Sequence, residues 1–197
     1  ARRFYAPVLL SIEDGSTTQK VYLTNETRQS WQGLLKWSLE TLAGKSLKAD
    51  ELAVNVDAGE AAALVELDFS NELKADISRD LAFVAELYQG GQLVNRQTAF
   101  FVPTKYLNME EPGIQTNLSI DNGKLSIHLF GQSLARLVEC SLDGADVIFS
   151  DNYFDLPAMR DATITCPVPA GWNLEDAVKT LRIRSVFNSY AHGETNA

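Results

Sequence analysis

Cysteine and histidine are scarce in this 197-residue chain, each occurring only twice. Zinc centres draw most of their ligands from these two residue types, and His128 and His192 lie far apart in sequence, so no metal site is expected. Cys140 and Cys166 are too few for the disulfide scaffold of a small secreted domain. Each sits in a strand-like run, which fits two buried free thiols; a bridge across a domain core stays open for an oxidising compartment. Positive charge is scarce as well. Against 26 Asp and Glu there are 17 Lys and Arg, a net charge of −9, and no long basic run that a nucleic-acid partner would need. No apolar stretch approaches the ~20 residues that span a bilayer, so no membrane partner is expected. The first residues, Ala1 to Pro7, lack both the apolar run of a signal peptide and an initiator Met, and read as an internal cut in a longer chain. Periodic helices of the length that βαβ units require are missing too.

What is present is period-two alternation in short runs. Leu35, Trp37 and Leu39 alternate with Lys36 and Ser38; Val21 and Leu23 with Lys20 and Thr24; Ala63, Val65, Leu67 and Phe69 with Glu66 and Asp68. Further on, Leu125, Ile127 and Leu129 alternate with Ser126 and His128, and Leu181 and Ile183 with Arg182 and Arg184. Such alternation sets one face of a strand on a core and the other in water. Leu81 to Tyr88 and Thr98 to Val102 are apolar on both sides and read as more central strands. Turn-forming groups separate the runs: Glu13-Asp14-Gly15-Ser16, Gln89-Gly90-Gly91, Asp143-Gly144, and the hairpin signal Asp121-Asn122-Gly123. Only Ala49–Leu52 and Asn173–Val178 suggest a helical turn, the second with Asn173 and Asp176 in N-cap spacing.

The expected fold is therefore all-β, as two tandem antiparallel sandwiches. A seven-strand count closes near Phe101-Val102, and Pro103 to Gly113 reads as a linker with two prolines and the pair Glu110-Glu111. The expected domains are 1–106 and 107–197, each just large enough for its own core.

Candidate chemistry is thin. Glycoside hydrolysis requires two carboxylates facing each other across a sugar, and adjacent Glu110 and Glu111 face different ways. Ser133 lacks a Gly-x-Ser-x-Gly context, and Cys140 has no evident His partner. No catalytic residue and no cofactor are expected. In Ser150-Asp151-Asn152-Tyr153-Phe154-Asp155, the two aspartates fit an Asx-type turn, a hard-cation site or a sugar contact. Among aromatics that could stack on a sugar, Trp37 reads as core, whereas Trp31 at a strand start and Trp172 in a loop are candidate carbohydrate contacts. The sequons Asn25-Glu26-Thr27 and Asn117-Leu118-Ser119 matter only in a eukaryotic secretory setting.

Phe149-Ser150-Asp151-Asn152-Tyr153-Phe154-Asp155-Leu156 resembles the signature of the C-terminal domain of family 2 β-mannosidases. Leu134 to Glu139 and Leu181 to Ser185 are similar to two of that domain's strands. Arg3 to Leu10 resembles the segment leaving the family's barrel, and Phe101 to Leu107 the segment between its last two domains. The resemblance implies two immunoglobulin-like sandwiches that follow a catalytic (β/α)8 barrel. It also implies a parent that hydrolyses terminal β-mannosides with retention. The family's catalytic glutamates belong to the barrel, a fold of ~250 residues, and no residue here aligns with them. The implied partner is that barrel in the same chain, with β-mannoside glycans as a further candidate. Tyr153 and Phe154 would anchor the signature loop against sandwich or barrel, and Asp151 and Asp155 would fix its backbone. One departure stands out: after Leu156-Pro157 the family usually has Gly-Glu, and this chain has Ala158-Met159-Arg160-Asp161. A free-standing glycan-binding module and a cell-surface adhesion pair remain alternative readings, since sandwiches host many functions.

Overall fold

In the computed structural model, which describes residues 6–74 and 77–191, the chain separates into two compact units, Ala1–Asn108 and Met109–Ala197. The described part of the first carries seven strands: β1 (Val8–Asp14), β2 (Thr18–Asn25), β3 (Trp31–Thr41), β4 (Ser46–Val56), β5 (Ala61–Asp68), β6 (Leu81–Gln89) and β7 (Gln92–Phe100). They form two antiparallel sheets, ordered β1-β2-β5 and β4-β3-β6-β7. The core between them follows the alternation: Val21 and Leu23 from β2, Leu35, Trp37 and Leu39 from β3, Leu81, Phe83 and Leu87 from β6. Phe69 sits among Trp37, Phe83 and Phe101 with ring centroids 5.7 to 6.1 Å away for its three neighbours, the tilted and edge-on arrangements that aromatic quadrupoles favour.

Three local expectations fail here, each for a physical reason. Ala63 points to solvent although Val65 and Leu67 face inward, because the β2–β5 register shifts between Val21 and Tyr22. The extra residue at Leu64 is a bulge, and it moves the inward set to Leu64 and Ala62. Ala49–Leu52 is not helical; it lies in β4, an edge strand whose first half is exposed on both faces, so its helix-favouring composition is overridden by pairing with β3. Thr98 to Val102 is not central: β7 pairs with β6 alone and is the edge of its sheet, with the strand ending at Phe100. Its apolar character comes from Ala99, which faces the core, and from Phe101, which packs against it just past the strand.

Two polar side chains in this unit, Gln19 and Asn25, are completely buried. Asn25 uses its Nδ2 to donate to the carbonyls of Gln29, Val56 and Asp57 at 2.9 to 3.1 Å, while its Oδ1 accepts from Thr27 N and Oγ1. Gln19, on the same face of β2 as Val21, has 0% exposure and no partner for either amide atom. Leaving buried polar atoms unsatisfied costs about 1–3 kcal/mol. Gln19→Met keeps the volume and removes both atoms, and is expected to stabilise the chain by about 1–2 kcal/mol, read as a higher urea midpoint.

The second unit contributes β8 (Gln115–Asp121), β9 (Lys124–Gly131), β10 (Ala135–Leu142), β11 (Phe154–Leu156), β12 (Arg160–Pro167) and β13 (Leu181–Arg184), with α1 (Leu174–Thr180) and α2 (Val186–Ala191). Its sheets are β12-β9-β8 and β11-β10-β13. The β8–β9 hairpin turns on Asn122 and Gly123, with φ of 48° and 73°, the doubly left-handed turn whose twist suits a two-residue hairpin. Asn173 and Asp176 form a reciprocal capping box on α1, and Lys179 pairs with Glu175 one turn below. Leu125, Ile127, Leu129, Val138, Phe154, Leu156 and Ile164 fill the core.

Cys140 and Cys166 both lie in this core as free thiols. Burial, reinforced by the charge of Glu139 and by Cys166, pushes the Cys140 thiol up to about 12 from its ordinary 9.0. The unfolded chain therefore ionises this thiol near pH 9 while the native chain keeps its proton until near pH 12. Stability is full below the unfolded value and falls as pH rises through that window. Cys140→Ala is expected to make the decline in melting temperature above pH 9 shallower than in the parent chain, and Cys140 is expected to stay unreactive toward aromatic disulfide reagents at pH 8 until the chain is unfolded.

Candidate functional site

The signature segment Phe149–Leu156 is a strap across the open side of the second sandwich. At one end, Ser150 clips onto β12: its backbone N–H donates to Thr165 O at 2.7 Å, and its Oγ accepts from Thr165 N at 2.9 Å. Two residues on, Asn152 reaches β10 in the other sheet. There its Oδ1 accepts from Cys140 N at 2.7 Å and its Nδ2 donates to Cys140 O at 2.9 Å. A side-chain amide thus satisfies both peptide groups of Cys140, as a neighbouring strand would. Asp151 Oδ1 accepts from Asn152 N at 2.9 Å, a bond to the next residue rather than to the second residue on as in an Asx turn.

Tyr153 then takes a left-handed φ of 60°, unusual for a bulky residue. This reverses the facing of the aromatic pair. Its N–H donates to Val138 O, its ring stands 62% exposed, and its hydroxyl donates to Glu139 Oε1 at 2.9 Å; that bond holds the phenol pKa above its ordinary value. Phe154 turns inward, 3% exposed, beside Val138 and Leu156. Asp155 Oδ1 accepts from Leu137 N at 3.0 Å and lies 3.3 Å from Arg136 Nε. Opposite it the β10–β11 register shifts between Ala135 and Val138, and Leu137 sits at a φ of 49°. Beyond β11, where the chain departs from the resembled pattern, Met159 adopts a φ of 56° with its N–H donated to Gly131 O.

Of the six side chains from Ser150 to Asp155, five make hydrogen bonds with neighbouring backbone or side chains, and the sixth, Phe154, enters the core. Asp151 and Asp155 bond different groups, Asn152 N for the first and Leu137 N with Arg136 for the second. Among the described residues no group of three His, Cys, Asp or Glu side chains is placed to hold a metal ion. Of the two tryptophans weighed as sugar contacts, Trp31 is displaced from that role: it is 5% exposed and belongs to the core of the first unit. Gly33 makes this possible, since a Cβ there would lie 2.2 Å from the Trp31 ring. Trp172 is half-buried against the second core, with its N–H donated to Pro169 O in the turn before α1. Arg136 and Glu139, which hold the strap from β10, lie in the Leu134–Glu139 run that resembles a family strand, but nothing in the sequence singled them out as partners of the strap.

These are two immunoglobulin-like sandwiches, each with its own core. Residues 17–106 match the family model described as Mannosidase Ig/CBM-like domain, and residues 109–189 match one described as Ig-fold domain. Between them the two models cover most of the chain, as a mannosidase-type immunoglobulin-like domain followed by a second immunoglobulin-fold domain. No curated protein sequence matches it. Among solved structures it is similar to a β-D-mannosidase from Dictyoglomus thermophilum, with a TM-score of 0.81 and 18% identity over 93% of this chain. An exo-chitosanase from Amycolatopsis orientalis follows, with a TM-score of 0.64 and 16% identity over 93% of this chain. The chain spans only 22% of the first of these proteins and 26% of the second.

Proposed function

We propose that these sandwiches are the non-catalytic accessory region of a retaining β-mannosidase, and that they pack on the enzyme's catalytic barrel within one polypeptide. The observation that carries this reading is the ordered match of both domains over nearly the whole chain, combined with the small share of a β-mannosidase that they span. In this role the strap is a rigid platform. Ser150, Asn152 and Asp155 lock its backbone, Phe154 anchors it to its own sandwich, and Tyr153 faces outward, as does Leu137 of the adjoining β10.

The test begins with the coding sequence upstream, which is expected to specify a barrel of about 250 residues with two glutamates at strand ends. The purified 197-residue chain is expected to leave aryl β-mannosides intact. A polypeptide carrying the barrel is expected to hydrolyse them, and to lose thermal stability when residues 1–197 are deleted. Hydrolysis by the isolated chain, or a barrel indifferent to the deletion, would overturn the proposal.

A further inference from the structure

Leu137 and Tyr153 each combine two features that are unfavourable in a free sandwich. Both hold a left-handed backbone, at φ of 49° and 60°, and both turn a large apolar side chain to solvent, 45% and 62% exposed. Such a backbone is costly for a residue with a Cβ, and least so for asparagine and aspartate among them. The β8–β9 turn follows that rule with Asn122 and Gly123. At the exposed bulge in β10, glycine or asparagine would relieve the strain and also suit water. Neither folding nor solubility therefore accounts for leucine at 137. At 153 the tyrosine gains a single surface hydrogen bond, to Glu139.

The two side chains share one face. Leu137 and Glu139 are two residues apart on β10 with Val138 between them in the core, and the Tyr153 hydroxyl reaches Glu139. They form an apolar patch on the outer side of the β11-β10-β13 sheet. The charges bordering it balance, three against three. Arg136 Nε lies 3.3 Å from Asp155, Arg182 Nη2 lies 2.7 Å from Asp143, and Arg184 stands across from Glu139 in the β10–β13 register. This border is neutral on a chain whose net charge is −9. An apolar centre within a charged rim is the anatomy of a protein–protein contact, and tyrosine is among the residues that most often carry its energy.

We propose that this patch is the surface by which the second sandwich docks on the catalytic barrel of its own polypeptide, and that the strain at Leu137 and Tyr153 is kept for that contact. The proposal rests on the accessory role given above and names the side chains that perform it. The occupant follows from size and charge. The chain spans 22% of the β-D-mannosidase it is similar to, so most of a polypeptide of that length lies outside these sandwiches. A second copy fits less well, because two chains at −9 would meet against their own repulsion.

The test places the same substitutions in two settings. In the 197-residue chain, Leu137→Asn is expected to leave the melting temperature unchanged or to raise it, and Tyr153→Asn to change it little. In the polypeptide that carries the barrel, each is expected to shorten the half-life of aryl β-mannosidase activity at elevated temperature about tenfold, equivalent to about 1.4 kcal/mol. Ile148→Asn, at a side chain 88% exposed on an ordinary backbone, is expected to have no effect in either setting. If Leu137→Asn destabilises the 197-residue chain as much as the longer polypeptide, the leucine serves its own sandwich and the proposal fails. It fails too if both variants leave the longer polypeptide unchanged while deletion of residues 1–197 destabilises the barrel; the accessory role then stands and the docking surface lies elsewhere. Sedimentation that finds the parent chain dimeric and Tyr153→Asn monomeric would assign the patch to a second copy instead. An upstream sequence without a barrel would overturn both proposals together.

Discussion

Replacing Phe154 with alanine is expected to remove about 3–5 kcal/mol of stability from the second unit. Small domains have only about 5–15 kcal/mol in total, so the variant should lose a large share of the unit's stability. The side chain is almost fully buried among Val138, Leu156 and their neighbours. Truncating it forfeits the transfer free energy of the ring and leaves a cavity that the sheets on either side cannot close. The neighbouring aromatic provides the contrast. Tyr153→Ala loses an exposed ring and one hydrogen bond to Glu139, worth under about 1 kcal/mol. Thermal and urea unfolding followed by circular dichroism should separate the two variants clearly. If they are equally destabilised, the inward and outward assignment of the pair is wrong.

The next largest effect is expected at Asn152. Its amide is the partner of both Cys140 N–H and Cys140 C=O. Asn152→Ala strands both groups on the strap side of β10, and each loses a partner in a partly buried setting, for about 2–3 kcal/mol together. Asn152→Asp makes a sharper test. It preserves the acceptor for Cys140 N–H but sets a carboxylate against Cys140 O, where the amide had donated. Its stability is expected to recover as pH falls through the carboxylate range, because protonation restores a donor and relieves the oxygen–oxygen repulsion. Urea midpoints at pH 7 and pH 4, compared with the parent chain at the same pH, give the reading. An Asn152→Asp variant that loses as much stability as Asn152→Ala at both values would show that the two bonds to β10 do not carry the effect.

The sandwich architecture was legible because most strands keep one phase from end to end. Val21 and Leu23, or Leu125, Ile127 and Leu129, face the core wherever alternation puts them. Legibility failed where the backbone breaks period two. The bulge at Leu64 and the left-handed Tyr153 each reverse the facing of the residues beside them, and neither position holds the glycine that marks such a break. The strap was recognisable as a motif, yet its function as a link between two sheets depends on Thr165, Cys140, Leu137 and Glu139. These are ordinary strand residues brought to it by the pairing of distant segments. Trp31 was misread for a related reason: at a strand start its side chain could have pointed either way, and Gly33 is what opens an interior place for the ring.

The three carbonyls that hold Asn25 also set an order of events on the ribosome. Two of them, from Val56 and Asp57, emerge 31 and 32 residues after Asn25 itself. Asn25 opens an Asn-x-Thr sequon, and oligosaccharyl transfer requires the same amide nitrogen that these carbonyls occupy. In a secretory host the two processes would compete for one atom. A glycan attached before β4 emerges would bar the end of that strand from its place, whereas a chain that folds first would keep the amide out of the enzyme's reach. Asn117, exposed on β8, faces no such contest. Secretion through a glycosylating pathway is therefore expected to yield folded molecules modified at Asn117 and bare at Asn25, with any chain modified at Asn25 retained as misfolded.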